Sequence, residues 1–186
     1  MEALALLELD SIAAGFRTAD AVVKQARVDL LESRLLDPGR FLILFRGEVA
    51  SVESAFRKGT EEAGDRLIDR VFLPAAHESL FPLLRGERSE VPIDSLGVVE
   101  TSAVASIVRA ADAAAKAAPV RLLRIHMAAR AGGKGCLVLT GSLPDVEAST
   151  AAGAAAARAE GKLVAEVVIP APAAETYEKI RAEWPE

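Results

Sequence analysis

Apolar residues in this chain follow two alternating rhythms. Short continuous or alternating runs predict strands at 3–9 (ALALLEL), 28–36 (VDLLESRLL), 41–47 (FLILFRG) and 66–74 (RLIDRVFLP). Between them, Ile12, Phe16, Ala19, Val23 and Ala26 recur at helical spacing, behind Ser11 as a cap, and predict a helix with these positions inward. A second helix over 48–64 sets Val52, Ala55, Phe56 and Ala63 inward and its glutamates outward. The segment 77–86 (HESLFPLLRG) predicts a short terminal helix with an internal proline. Strand, helix, two strands, helix, strand is the ferredoxin-like order, an α+β fold with helices on one face of an antiparallel sheet.

The rhythm is then written again. An offset of 92 (96 − 4) brings Glu8 onto Glu100, Arg17 onto Arg109, Asp20 onto Asp112 and Lys24 onto Lys116 without a gap. Past the first turn the offset is 94, pairing Gly39 with Gly133, Arg40 with Lys134 and Gly47 with Gly141; Pro74 meets Pro170 at 96. Two tandem copies are expected, at 1–85 and 96–186, joined by a polar linker at 86–95. The alanine-rich second helix of copy two, around 148–161, should lie close to its sheet.

Composition narrows the function. Of the 186 residues 51% are hydrophobic, yet only eight are aromatic, which suggests thin, closely packed layers. A formal net charge of −5 argues against a nucleic-acid partner. No apolar run reaches the length of a membrane span, and the start lacks signal-peptide features, so a cytoplasmic, non-membrane protein is expected. One cysteine, Cys136, excludes an internal disulfide and a four-cysteine cluster within a single chain. No nucleophile–base or paired-carboxylate set surrounds His77 or His126, so no enzyme is expected. Gly132-Gly133-Lys134 lacks the spacing of a phosphate loop and reads as a tight hairpin.

Topology alone assigns no function. The stretches LLELDSIAAGFRTADAVVKQARVDLL, DPGR, RGEVASVESA and VFLPAAH, with their counterparts GVVETSAVASIVRAADAAAKAAPVRLL, GGKGCLVLTGSLPDVEAS and VVIPAPA, resemble a bacterial microcompartment shell domain in both copies. The order is the non-permuted one, and the doubling is similar to the tandem, trimer-forming class of the propanediol-utilisation type. The resemblance implies a homotrimer acting as a pseudohexagonal tile, packed with other shell proteins, with a central pore for small metabolites. Two other readings stay open at this stage: a regulatory module binding a small molecule at a domain interface, and an electron-transfer protein with an axial iron–sulfur cluster.

On that resemblance the two hairpin turns surround the axis. Asp37, Pro38 and Gly39 of copy one, with Ala131, Gly132 and Gly133 of copy two, are expected to line the pore, and Arg40, Arg130 and Lys134 its rim. Asp-Pro-Gly is also favoured turn chemistry in its own right. Cluster-bearing relatives place a cysteine directly before Pro-Gly, where this chain has Asp37, so no metal or other cofactor is expected. Cys136 reads as a small buried hydrophobe. Lys24 and Lys116 correspond to the family's tile-edge lysine. The Pro-Arg-Pro-His motif often facing it is reduced to PAAH, keeping His77, and to PAPA.

Overall fold

The computed structural model describes residues 2–87, 91–127 and 132–181. Copy one comprises β1 (Ala3–Leu9), α1 (Ile12–Gln25), β2 (Asp29–Leu36), β3 (Arg40–Gly47), α2 (Val49–Ala63), β4 (Leu67–Leu73) and α3 (Leu80–Leu84). Copy two repeats this as β5 (Ser95–Thr101), α4 (Val104–Ala117), β6 (Arg121–Met127), β7 (Gly135–Gly141), α5 (Leu143–Ala159), β8 (Leu163–Ile169) and α6 (Ala174–Arg181). The sheets are antiparallel, in the orders β2-β3-β1-β4 and β6-β7-β5-β8. The fold is therefore two tandem ferredoxin-like units. Even the register breaks repeat: at Leu30/Glu32 and Leu122/Arg124, and at Glu8/Leu9 and Glu100/Thr101.

In copy one, α1 and α2 cover one face of the sheet, burying Leu7, Val22, Phe41, Ile43, Phe45, Val52 and Ala55. Ser11 caps α1 through the amide of Ala14 at 3.3 Å. The face of α1 turned to the sheet, however, is Gly15, Thr18, Ala19 and Val22, not the stripe through Phe16 and Val23. Gly15 decides this. The Phe41 side chain lies directly on it, so the helix sits too low for any larger residue there. Phe16 only edges against Phe41, at 5.0 Å between ring centroids, and stays 62% exposed.

The two copies share a core. The other face of the first sheet (Leu4, Leu6, Leu42, Leu44, Val71) and α3 (Leu80, Leu83, Leu84) join one cluster with Val104, Ile107 and Val108 of α4 and Leu122, Ile125 and Met127 around β6. Copy two thus presents its first helix and second strand to the sheet edge and terminal helix of copy one. Glycines bring α5 close on two sides: Gly97 lies under Thr150, and a Cβ at Gly153 would stand 2.9 Å from the Ala110 carbonyl of α4. No helix among the described residues is long and apolar enough to cross a membrane.

Gly153→Val should therefore push α4 and α5 apart. Because the obstructing atom is backbone, we expect a loss of about 1–3 kcal/mol in urea-unfolding free energy. An unchanged midpoint would mean that the helices separate without cost.

Candidate functional site

The Asp37–Pro38–Gly39 turn joins β2 to β3 and is fully exposed; its Asp37–Pro38 peptide is cis, and Gly39 takes the φ of +70° that only glycine adopts freely. The β6–β7 turn includes Gly132 (φ +62°) and Gly133 (φ +85°); Arg130 and Ala131 lie outside the described residues. Arg40 ties the two turns together. Its guanidinium lies on Gly133 and donates to that residue's carbonyl at 3.2 Å, so a side chain at 133 would collide with it. Residues 93 positions apart in the chain thus stand side by side.

The same Arg40 nitrogen donates to Glu8 at 2.6 Å. Glu8, next to the last residue of β1, is wholly buried, and its other oxygen accepts from the amides of Val104 (2.7 Å) and Ala105 (3.4 Å). These belong to the first turn of α4, whose N-cap is Ala103, a residue with no side-chain acceptor. Copy one therefore caps a helix of copy two, placing a carboxylate at the positive end of the helix dipole. Burial pushes the Glu8 carboxyl above its ordinary pKa, opposed by the hydrogen bonds from Arg40 and the two amides. Sequence reasoning missed this residue. Its trace was a carboxylate within an apolar strand, repeated as Glu100.

The equivalent pair in copy two is set differently. Lys134 reaches Glu100 at 2.7 Å, but the side chains are 50% and 33% exposed, against 22% and 0% for Arg40 and Glu8. Among the described residues no helix terminus donates to Glu100. Of the three expected rim cations, Arg40 and Lys134 are committed to carboxylates and Arg130 lies outside the described residues, while no ion-pair partner for Asp37 occurs among the described residues.

The two lysines at matching positions also diverge. Lys24 projects from α1 and, among the described residues, pairs only with Asp20, four residues earlier, at 2.6 Å. Lys116 pairs with Asp112 at 2.6 Å and donates to the Ala75 carbonyl of copy one at 2.7 Å. Asp112, nearly buried, also accepts from the His77 amide at 2.8 Å, and the His77 ring meets Ser79. Lys116 and His77 are therefore brought into one network that crosses the copies, whereas Lys24 stands apart.

Cys136, expected to be buried, is only partly so; it pairs in register with Glu100 on β5 and His126 on β6, and packs against Leu96, Leu123 and Val138. Among the described residues no three His, Cys, Asp or Glu side chains are grouped closely enough to hold a metal ion. The residues do not fit an axial iron–sulfur cluster: the turn presents a carboxylate, and the thiol lies within a strand.

Comparison with known proteins decides the family. A model of the BMC domain matches residues 3–76 and again 95–172. The chain belongs to the bacterial microcompartment shell family. It is 42% identical over 171 residues (92% of this chain, 93% of the relative) to the bacterial microcompartment shell protein PduT of Citrobacter freundii. A crystal structure of a microcompartment protein from Desulfitobacterium hafniense superposes with a TM-score of 0.86, at 39% identity over 96% of this chain and 99% of that one. A fused, permuted hexameric shell protein of the RMM microcompartment shares the fold, at TM-score 0.63 and 23% identity over 85% and 84% of the two chains. Two shell domains in tandem fit a structural role in a microcompartment shell.

In this shell protein Cys136 should be inert. Burial, with the nearby Glu100 carboxylate, pushes its thiol from an ordinary 9.0 to about 11, and Arg124 only partly counters them. At pH 8 the thiolate is then on the order of a hundredfold scarcer than for a free thiol, and alkylation should slow accordingly against the urea-unfolded chain. Equal labelling rates in both states would place the thiol at an open surface.

Proposed function

We propose that three copies of this chain close into a pseudohexagonal shell tile, pierced by a pore through which small metabolites pass. The observation that carries the reading is where the chain leaves apolar surface open. Seven large apolar side chains are exposed among the described residues, and six of them lie on α1, β2 and β8: Phe16, Val23, Leu30, Leu35, Val164 and Val167. These elements are the counterparts of the internal junction. Val108 matches Phe16 and is fully buried; Met127 matches Leu35, 7% against 56%; Val71 matches Val167, 1% against 48%. The free first helix and second strand of one chain therefore suit the free sheet edge of another, as α4 and β6 suit β4 and α3 within the chain.

Such a contact is heterologous and must either close or run on as a filament. The tandem shell class closes at three chains, alternating the two copies around an axis. The Arg40 bridge supports this placement, because it holds the two turns adjacent as a shared rim requires. In the closed tile Asp37, Pro38 and Gly39 alternate with Ala131, Gly132 and Gly133 around the pore, with Arg130 near the rim. Tiles then meet neighbouring tiles and other shell proteins along edges that carry Lys24, Lys116 and His77. Two of the proteins named above, the Citrobacter freundii relative among them, are described as shell proteins, which supports a wall rather than an enzyme.

Sedimentation equilibrium should give a homotrimer, three times the 19.5 kDa chain mass. A monomer at all concentrations would end the tile reading.

Asp37→Asn keeps the turn-forming chemistry and removes the charge. Three ionised carboxylates around a narrow opening favour cations, since few charges dominate a constricted, partly desolvated path. Wild type should show cation preference in planar-bilayer conductance, and the variant should lose it while keeping its trimer mass. Identical selectivity in the two proteins would reduce Asp37 to a turn former.

A further inference from the structure

The internal junction is a template for the contact between chains, and the two differ at the positions that matter. Among the polar contacts that join copy one to copy two are three centred on β1 and β4: Glu8 caps α4, Arg40 joins Glu8 to the Gly133 carbonyl, and Asp69 on β4 accepts a short hydrogen bond from Ser106 on α4. Register transfers each position. Glu8 lies opposite Asp69 as Glu100 lies opposite Ala165, and Val104, Ala105 and Ser106 correspond to Ile12, Ala13 and Ala14.

We infer that in the assembly Glu100 of one chain accepts hydrogen bonds from the first amides of α1, at Ile12 and Ala13, of a second copy, with Lys134 bridging Glu100 to that copy's Gly39 carbonyl. The inference rests on the tile reading and names the polar contacts of its open junction. Two observations support it beyond the apolar match. Glu100 holds the same sheet position as Glu8 and already carries a cation in Arg40's place, yet among the described residues it accepts from no helix amide. The helix caps are complementary as well. The α4 helix has Ala103 and relies on Glu8, permanently present in the same chain; α1 has Ser11, which serves it before any neighbour arrives. Ser11 takes the Ala14 amide, leaving those of Ile12 and Ala13 for a carboxylate from outside.

The junction between chains is also the weaker one. Where the internal contact has Asp69 and Ser106, it has Ala165 and Ala14, and a lysine stands in for an arginine. Lysine offers a point charge where arginine's fork holds two acceptors at once, and charge-assisted contacts across an opening interface weaken with salt. Shell tiles should therefore come apart between chains, never between the copies of one chain.

Mixing isotopically heavy and light protein and following mixed trimers by native mass spectrometry tests this. Glu100→Ala should speed chain exchange roughly tenfold, the scale of a lost helix cap, with the urea-unfolding curve of the separated chains unchanged. The double substitution Ala14→Ser with Ala165→Asp copies the internal lock into the open junction and should slow exchange. Wild-type exchange should quicken between about 0.1 and 1 M salt. Wild-type exchange rates in Glu100→Ala, or no slowing in the double variant, would overturn the assigned contacts while leaving the trimer intact. A wild-type protein that forms no trimers at all sinks the tile reading instead.

Discussion

A carboxylate buried within a strand has to be answered by donors, and at Glu8 the donors come from both halves of the molecule. Arg40 supplies the cation from its own sheet, and the first turn of α4 supplies backbone amides from the other copy. A buried charge robbed of either partner is costly, which holds the two copies in one relative position. The other particulars of the junction follow from that demand. Ala103 need not cap its own helix, Gly133 must lack a side chain so that the arginine can lie on it, and the face of β1 and β4 can merge with α4 into a single core.

Shell architecture explains why the same letters have different surroundings. Duplication freed each pair of positions to diverge, and the structure shows how far they have gone. Asp112 and Asp20 match, but the first is buried beneath Lys116 and His77 and the second is exposed. Arg40 and Lys134 match, but only the arginine is held from two sides. The turn that carries Asp37 and the one that carries Gly132 and Gly133 share a place in the fold and little of its chemistry.

Much of this was legible in advance. Coherent offsets exposed the duplication, and alternation against helical spacing located the elements, because both are consequences of local geometry. Phe16 and Val23 were misplaced because periodicity marks an apolar stripe without saying which neighbour covers it; Gly15 sets the inward face, and its effect depends on Phe41, far along the chain. Glu8 was passed over for a related reason. A single acidic residue in an apolar strand looks like ordinary alternation until the helix that it caps is brought up from 96 residues away. The family resemblance named the two turns, but their contact through Arg40 needed the fold.

Covalent linkage of the copies has a kinetic side. The Glu8 junction forms within one molecule, at an effective concentration set by a short connection between α3 and β5 rather than by how much protein the cell contains. It closes at any dilution. In a ring of three such chains, half of the six junctions carry no association cost, and ring closure becomes a third-order rather than a sixth-order problem. A tandem chain can thus complete a tile at concentrations where single-domain relatives with the same contacts are still dispersed.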